Sequence, residues 1–352
     1  MSPPAITGVE TEVLVGGRLV HLLVHVTSDE DLTGTGESWW GVPAKPSQPD
    51  DAAVSTTAAV IDTILAPQIM GHDPRAIGRI WHDLAHDSYR WGDGGMVMCA
   101  LSGIDLALWD LAGKRHGVPT MELLGGPTLD SVPAYASLPP LRTEEALCTE
   151  IGRARDAGFG AVKLHEIEAD TIRFAFDEAG PDLKVMVDVN GHFDPIEART
   201  IGAMLSDLGA VWFEEPVSPM RDVFMIAELG RDLSVPIAAG ENEWSLLDAD
   251  RMLRSRAVDY FQPEITKIGG LTAGLRQSAL AELHNVAFCP HNFRNGPSLA
   301  ASIHWAFSSP NAKWLELPWL PEVLDFPLGW PLPTLVAGHV LPPVGPGLSM
   351  PD

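Results

Sequence analysis

The sequence predicts a (β/α) barrel preceded by a separate α+β domain, and two observations carry this. After residue 131, eight short apolar strands alternate with helical stretches, which is the order of a parallel barrel. Before it, strands come first and helices follow, the grammar of an α+β unit. A chain of 352 residues is too long for one small core and short for three domains, so a large barrel with a smaller companion fits.

Taken in order, "ITGVETEVLV" and "RLVHLLVHVTS" alternate as strands around the hairpin-like "GGR", and "TGTGESWWG" ends that unit. Three helical stretches follow, "AAVSTTAAVIDTILAPQIMG", "PRAIGRIWHDLAHDSY" and "ALSGIDLALWDLAGKRHG", each with apolar spacing near 3.6 and a closing glycine. The first domain is thus expected over 1–127 and the barrel over 128–320. Its strands are "VPAYAS", "AVKLHE", "KVMVDVN", "AVWFEEP", "VPIAAGE", "VDYFQPE", "VAFCPHN" and "KWLELP". The remaining 321–352, rich in Pro, Gly and Leu, is expected to pack back on the first domain.

Composition excludes several classes of partner. With 23 Lys and Arg against 47 Asp and Glu the net charge is -24, which argues against a nucleic acid or an anionic membrane surface. A small anionic substrate stays possible, because one metal ion or lysine reverses the potential inside a pocket. Cys99, Cys148 and Cys289 are far apart, with no disulfide or zinc-knuckle spacing. The N-terminus lacks a signal-peptide pattern and no apolar run is expected to approach the roughly 20 residues of a membrane span, so the cytoplasm is the expected location.

Barrel enzymes build their sites at strand C-termini, and here those ends are polar. Asp188 ends the third strand, Glu214 and Glu215 the fourth and Glu241 the fifth. Asp188, Glu214 and Glu241 are 26 and 27 residues apart, about one βα unit each, so three carboxylates converge and would repel one another. A hard divalent cation resolves this, and an all-oxygen set favours Mg²⁺ over zinc. Neighbouring side chains on a strand face opposite ways, so only one of Glu214 and Glu215 joins easily, and Glu214 is the choice. Lys163 and His165, two apart on the second strand, share a face. His291 ends the seventh strand, Glu264 the sixth and Glu316 the eighth, and a carboxylate beside an imidazole fixes its tautomer.

Several stretches together resemble the mandelate racemase and muconate lactonising branch of the enolase superfamily. They are "ALSGIDLALWDLAGKRHGVPTMELLGG", "VDVN", "WFEEP", "AAGEN", "ITKIGGLT", "PHNFRNG" and "WLELP", in family order along nearly the whole chain. The resemblance implies a capping α+β domain over a (β/α)₇β modified TIM barrel. It also implies Mg²⁺ on Asp188, Glu214 and Glu241, with a small-molecule carboxylate substrate on the metal, and loss of the substrate's α-proton through an enediolate. Lys163 would add positive charge, and Glu316, if protonated, a hydrogen bond to the developing oxyanion. His291, oriented by Glu264, would be the base on one face, with Lys163 and His165 on the other. Dehydration of a sugar acid to a 2-keto-3-deoxy acid is the leading expectation. Racemisation, epimerisation or cycloisomerisation of an α-substituted carboxylate is the alternative. A homo-oligomer is expected from family resemblance and general frequency.

Two residues depart from the family pattern. The second strand reads Lys163-Leu164-His165 where Lys-x-Lys is usual, and Glu264 stands where Asp is usual. Asn190 occupies the place where mannonate- and galactonate-type dehydratases carry a histidine, which argues against those specificities; nearby His192 is read as a loop residue, with that histidine's role as the alternative. The first lid loop, in "VLVGGRLV", is short, while "SWWGVPAKP" offers Trp39, Trp40 and Lys45 as wall and distal-anion contacts. His21, His82 and His86 carry no site signal.

Overall fold

The computed structural model describes residues 3–16, 19–39, 50–319, 330 and 332–349. Three antiparallel strands open the chain: β1 (Ile6–Gly16), β2 (Leu19–Ser28) and β3 (Thr33–Ser38). Helices α1 (Asp50–Val60), α2 (Ala66–Ile69), α3 (Ile77–Ser88), α4 (Gly95–His116) and α5 (Thr120–Leu123) follow. The glycines of "TGTGES" are explained by α4, which lies directly on β3. A Cβ on Gly34 would sit 2.0 Å from the Ala107 carbonyl oxygen, and one on Gly36 2.3 Å from that of Gly103.

One expectation about apolar runs is corrected here. Helix α4, 22 residues long, is apolar enough to cross a membrane. Its apolar surface is instead consumed by the fold, because the helix packs against β2 and β3 on one side and a barrel helix on another.

The barrel strands are β4 (Val132–Ser137), β5 (Ala161–Leu164), β6 (Lys184–Asp188), β7 (Phe213–Glu214), β8 (Ile237–Ala239), β9 (Tyr260–Phe261), β10 (Ala287–Phe288) and β11 (Leu315–Pro318). Seven helices alternate with them: α6 (Glu144–Asp156), α7 (Ala169–Ala179), α8 (Pro195–Leu208), α9 (Val223–Asp232), α10 (Leu246–Arg254), α11 (Gly270–Leu283) and α12 (Pro297–Phe307). All neighbours are parallel from β10 back to β4 and on to β11, and a parallel bridge between Phe288 and Ala312 closes the ring. This is the (β/α)₇β barrel with an α+β cap. Short strands suffice because each is sealed on both faces. Beneath the site Tyr135, Met186, Trp212 and Ala238 fill the barrel interior.

The C-terminal segment touches both domains. Strand β12 (His339–Val340) pairs antiparallel with the start of β4, and further on the Leu348 amide donates to Asp110 of α4 at 2.7 Å. His304 on α12 ties the pieces together: its Nδ1 accepts from the Met121 amide at 3.1 Å and its Nε2 donates to the Ser349 carbonyl at 2.9 Å. A ring that accepts at one nitrogen and donates at the other is neutral, and burial pushes its pKa down to about 4. The unfolded chain takes up this proton near pH 6.5 and the folded one does not, so stability is full above 6.5 and falls as pH drops toward 4. The loss attributable to His304 should reach about 3 kcal/mol. Urea unfolding of wild type and His304→Gln at several pH values checks this; identical slopes between pH 6.5 and 4 would refute it.

Candidate active site

Strand alternation aims Lys163, Asp188 and Glu214 at one point above the barrel floor. Oxygen atoms of Asp188, Glu214 and Glu241 all lie within 4.8 Å of one another. Asp188 and Glu214 are buried and Glu241 is partly exposed to the cavity. The Lys163 ammonium sits among them, 2.8 Å from Glu214, 2.8 Å from Glu316 and 3.3 Å from Asp188. Burial opposes the charge on Lys163, but Glu214 and Glu316 more than offset it and hold its pKa well above the usual range. In this cluster Lys163 is held as a cation.

The acids titrate apart, as like charges in one site must. Burial and neighbouring Asp188 push Glu214 up to about 8. At Asp188 burial is outweighed by Lys163 and His165, which pull it down to about 2. Asp188 Oδ2 is buried, with Lys163 Nζ at 3.3 Å and His165 Nε2 at 3.2 Å as its neighbours and no well-formed hydrogen bond. An all-carboxylate donor set whose oxygens lie within 4.8 Å of one another fits a hard divalent cation. Of the two adjacent glutamates, Glu214 belongs to the cluster. Glu215 leaves the strand with φ +43° and accepts from Asn242 Nδ2 at 2.7 Å. Trp212 Nε1 and Gln262 Nε2 donate to Glu214 Oε2 at 2.8 and 2.9 Å and fix its plane.

Both histidines present Nε2 to this cluster. A parallel bridge sets Glu264 beside His291, whose Nδ1 lies 2.7 Å from Glu264 Oε2, while Nε2 lies 2.7 Å from Glu241. The extra methylene of Glu264 is absorbed because the amide and hydroxyl of Thr266 hold its other oxygen. His165 Nδ1 donates to the Leu138 carbonyl, which only accepts, so the tautomer is set and Nε2 faces Asp188 at 3.2 Å. Burial opposes protonation of both rings, yet Asp188 raises His165 and Glu241 raises His291, the latter well above its ordinary value.

Glu316 closes the cluster from the eighth strand. Burial favours its protonated form, but Lys163 and His291 win and hold the carboxyl below its usual value, and its Oε2 accepts from the Asn292 amide. Its Oε1 lies 2.8 Å from the Lys163 ammonium and anchors it.

A cavity of about 620 Å³ opens over the cluster, reached by His165, Glu241, His291 and Glu316. Trp39 from the cap, Trp244, Phe293 and Trp319 wall it. Asn190 lines it while His192 is exposed. Trp40, Lys45 and the β1–β2 turn lie outside the described residues. Lys267 was not anticipated as a site residue. It lines the cavity, donates to the Glu241 carbonyl at 2.9 Å and lies 4.1 Å from the Trp39 ring. Its position three residues past Glu264, inside "ITKIGG", was the available signal. On the other contact of Trp39, Arg294 lies 4.4 Å from the ring and 3.6 Å from Glu37, which is bonded to His21 at 2.7 Å. His21 therefore belongs to a buried link between cap and barrel.

The family model for the mandelate racemase/muconate lactonizing enzyme N-terminal domain matches residues 6–125, and that for the enolase C-terminal domain-like unit matches 146–351. The chain belongs to the mandelate racemase/muconate lactonizing enzyme family. It is an enzyme of the enolase superfamily. Among relatives of this family member, D-galactarolactone cycloisomerase of Agrobacterium fabrum is 32% identical, covering 82% of this chain and 75% of its own. A D-galactonate dehydratase of Ralstonia pickettii is 30% identical over 94% of this chain and 88% of its own. A racemase from Streptomyces coelicolor solved with bound magnesium superposes with a TM-score of 0.83 at 25% identity, covering 97% and 96% of the two chains.

Proposed function

We propose that this enzyme is a Mg²⁺-dependent dehydratase that converts a sugar acid to a 2-keto-3-deoxy acid. The observation that carries the reading is His291. Its Nδ1 is committed to Glu264, which leaves Nε2, 2.7 Å from Glu241, as the nitrogen that faces the carboxylate cluster and would carry the α-proton. Asp188, Glu214 and Glu241 would hold the magnesium, which when bound supplies positive charge to the substrate carboxylate. The Lys163 ammonium, 2.8 Å from Glu214, would add positive charge beneath a substrate carboxylate held there and so stabilise the negative charge that develops as the α-proton leaves. His291 takes that proton, and Glu264 stabilises the imidazolium. The β-hydroxyl departs as water with a proton from His165, and the enol product tautomerises to the 2-keto acid. The names of the dehydratase relatives and the magnesium in the racemase structure support this choice.

A second reading rests on the pair of histidines. Two imidazoles, each with Nδ1 tied and Nε2 directed at the cluster, also suit exchange of one α-proton between faces, or ring opening as named for the cycloisomerase relative. Sugar mono- and di-acids and their lactones incubated with the enzyme and Mg²⁺ in D₂O, followed by NMR, separate the two. A 2-keto product dependent on added Mg²⁺ and abolished by EDTA is the expected result. Deuterium at the α-carbon of recovered substrate without loss of water would replace dehydration with racemisation, and conversion of lactones alone with cycloisomerisation.

A further inference from the structure

A second cavity, of about 370 Å³, lies between the first turn of α3 and the last turn of α4, and shares no lining residue with the active-site cavity. Its volume is that of a small-molecule site. In a chain of net charge -24, its lining is basic: Arg75, Arg79, Arg115 and His116 face a single carboxylate, Glu30. Two of the guanidiniums are partly spent, Arg75 on Asp73 at 2.6 Å and Arg115 on Glu30 at 3.0 Å. Arg79 makes no ion pair or side-chain hydrogen bond among the described residues. Arg115 Nη1 is buried with no acceptor, a costly state for a charged donor. Helix α3 starts here with no side-chain cap on its first turn, so its positive end adds to the same field. The rest of the lining is apolar, with Ile77, Trp109 and Leu111 among it.

We propose that this cavity binds a small organic anion, a carboxylate or phosphate ester with an apolar flank. The guanidiniums of Arg79 and Arg115 take the anionic head, for which their planar forks are suited, and Trp109 with Ile77 takes the flank. Neither arginine belongs to the catalytic cluster.

The test is calorimetric titration of the full chain, with Mg²⁺ present, using phenyl phosphate and inorganic phosphate as probes. Phenyl phosphate should bind saturably, and inorganic phosphate about tenfold or more weaker, because it lacks the flank. Arg79→Gln and Arg115→Gln should each weaken phenyl phosphate about tenfold or more. Arg79 is exposed, so Arg79→Gln should keep the wild-type melting temperature and remain informative even if Arg115→Gln folds poorly. Absence of saturable phenyl phosphate binding, unchanged affinity in Arg79→Gln, or equal affinity for the two probes would each overturn the proposal.

Discussion

Lys163→Met should lower turnover by about 10²–10³-fold, the usual cost of removing one preorganised positive partner of a developing oxyanion. The same change should destabilise the fold, because Lys163 is the cation shared by Glu214, Glu316 and Asp188, all nearly inaccessible to solvent. Removing one member of a buried ion pair typically costs about 3–5 kcal/mol, since the charges left behind are neither paired nor hydrated. Methionine preserves the length and apolar stem of lysine, so packing against Tyr135 survives and the loss reports on charge. The destabilisation should shrink when Mg²⁺ is added, because a cation on the carboxylates replaces part of the missing charge. Urea unfolding with and without Mg²⁺, beside steady-state rates, measures all of this. A variant as stable as wild type in EDTA, with turnover within tenfold of it, would sink the assignment.

His291→Asn should remove the keto product, with a loss of about 10²–10⁴-fold, the range for a general base. Asparagine keeps a donor for Glu264 but has no nitrogen that takes up a proton, so binding should change less than turnover. In D₂O the variant also separates the two readings. If the enzyme exchanges protons on two faces, the variant still exchanges the α-proton through His165 for one stereoisomer. If it is a dehydratase with His291 as base, exchange and product disappear together. Product formation within tenfold of wild type would remove His291 from the base position altogether.

Much of this site was legible because it depends on short-range regularities. A strand places residues i and i+2 on one face, and a βα unit returns the chain to the next strand end after about 26 residues. Those two facts brought Asp188, Glu214 and Glu241 to one point and put Lys163 and His165 on one wall. The pairing of Glu264 with His291 was legible for the same reason. What escaped lies across the cap–barrel boundary or depends on charge balance. Lys267 beside Trp39, and the line from His21 through Glu37 to Arg294, join residues more than 200 positions apart, where no period connects them. The ionisation of Glu316 is a matter of balance, since a strand-end glutamate has no fixed charge until its distance to Lys163 is known.

By itself, then, the sequence determined the barrel, its cap and the identity of the carboxylate cluster, because alternation along a strand and repetition of βα units are local and survive in any compact arrangement of these residues. Only the tertiary structure decided that α4 is a core helix in spite of its membrane-like composition, and that Lys267 and Trp39 meet at the cavity. Each of those depends on what packs against the residue from a distant part of the chain. Burial and Coulomb energy are properties of that packing, and not of neighbours in sequence.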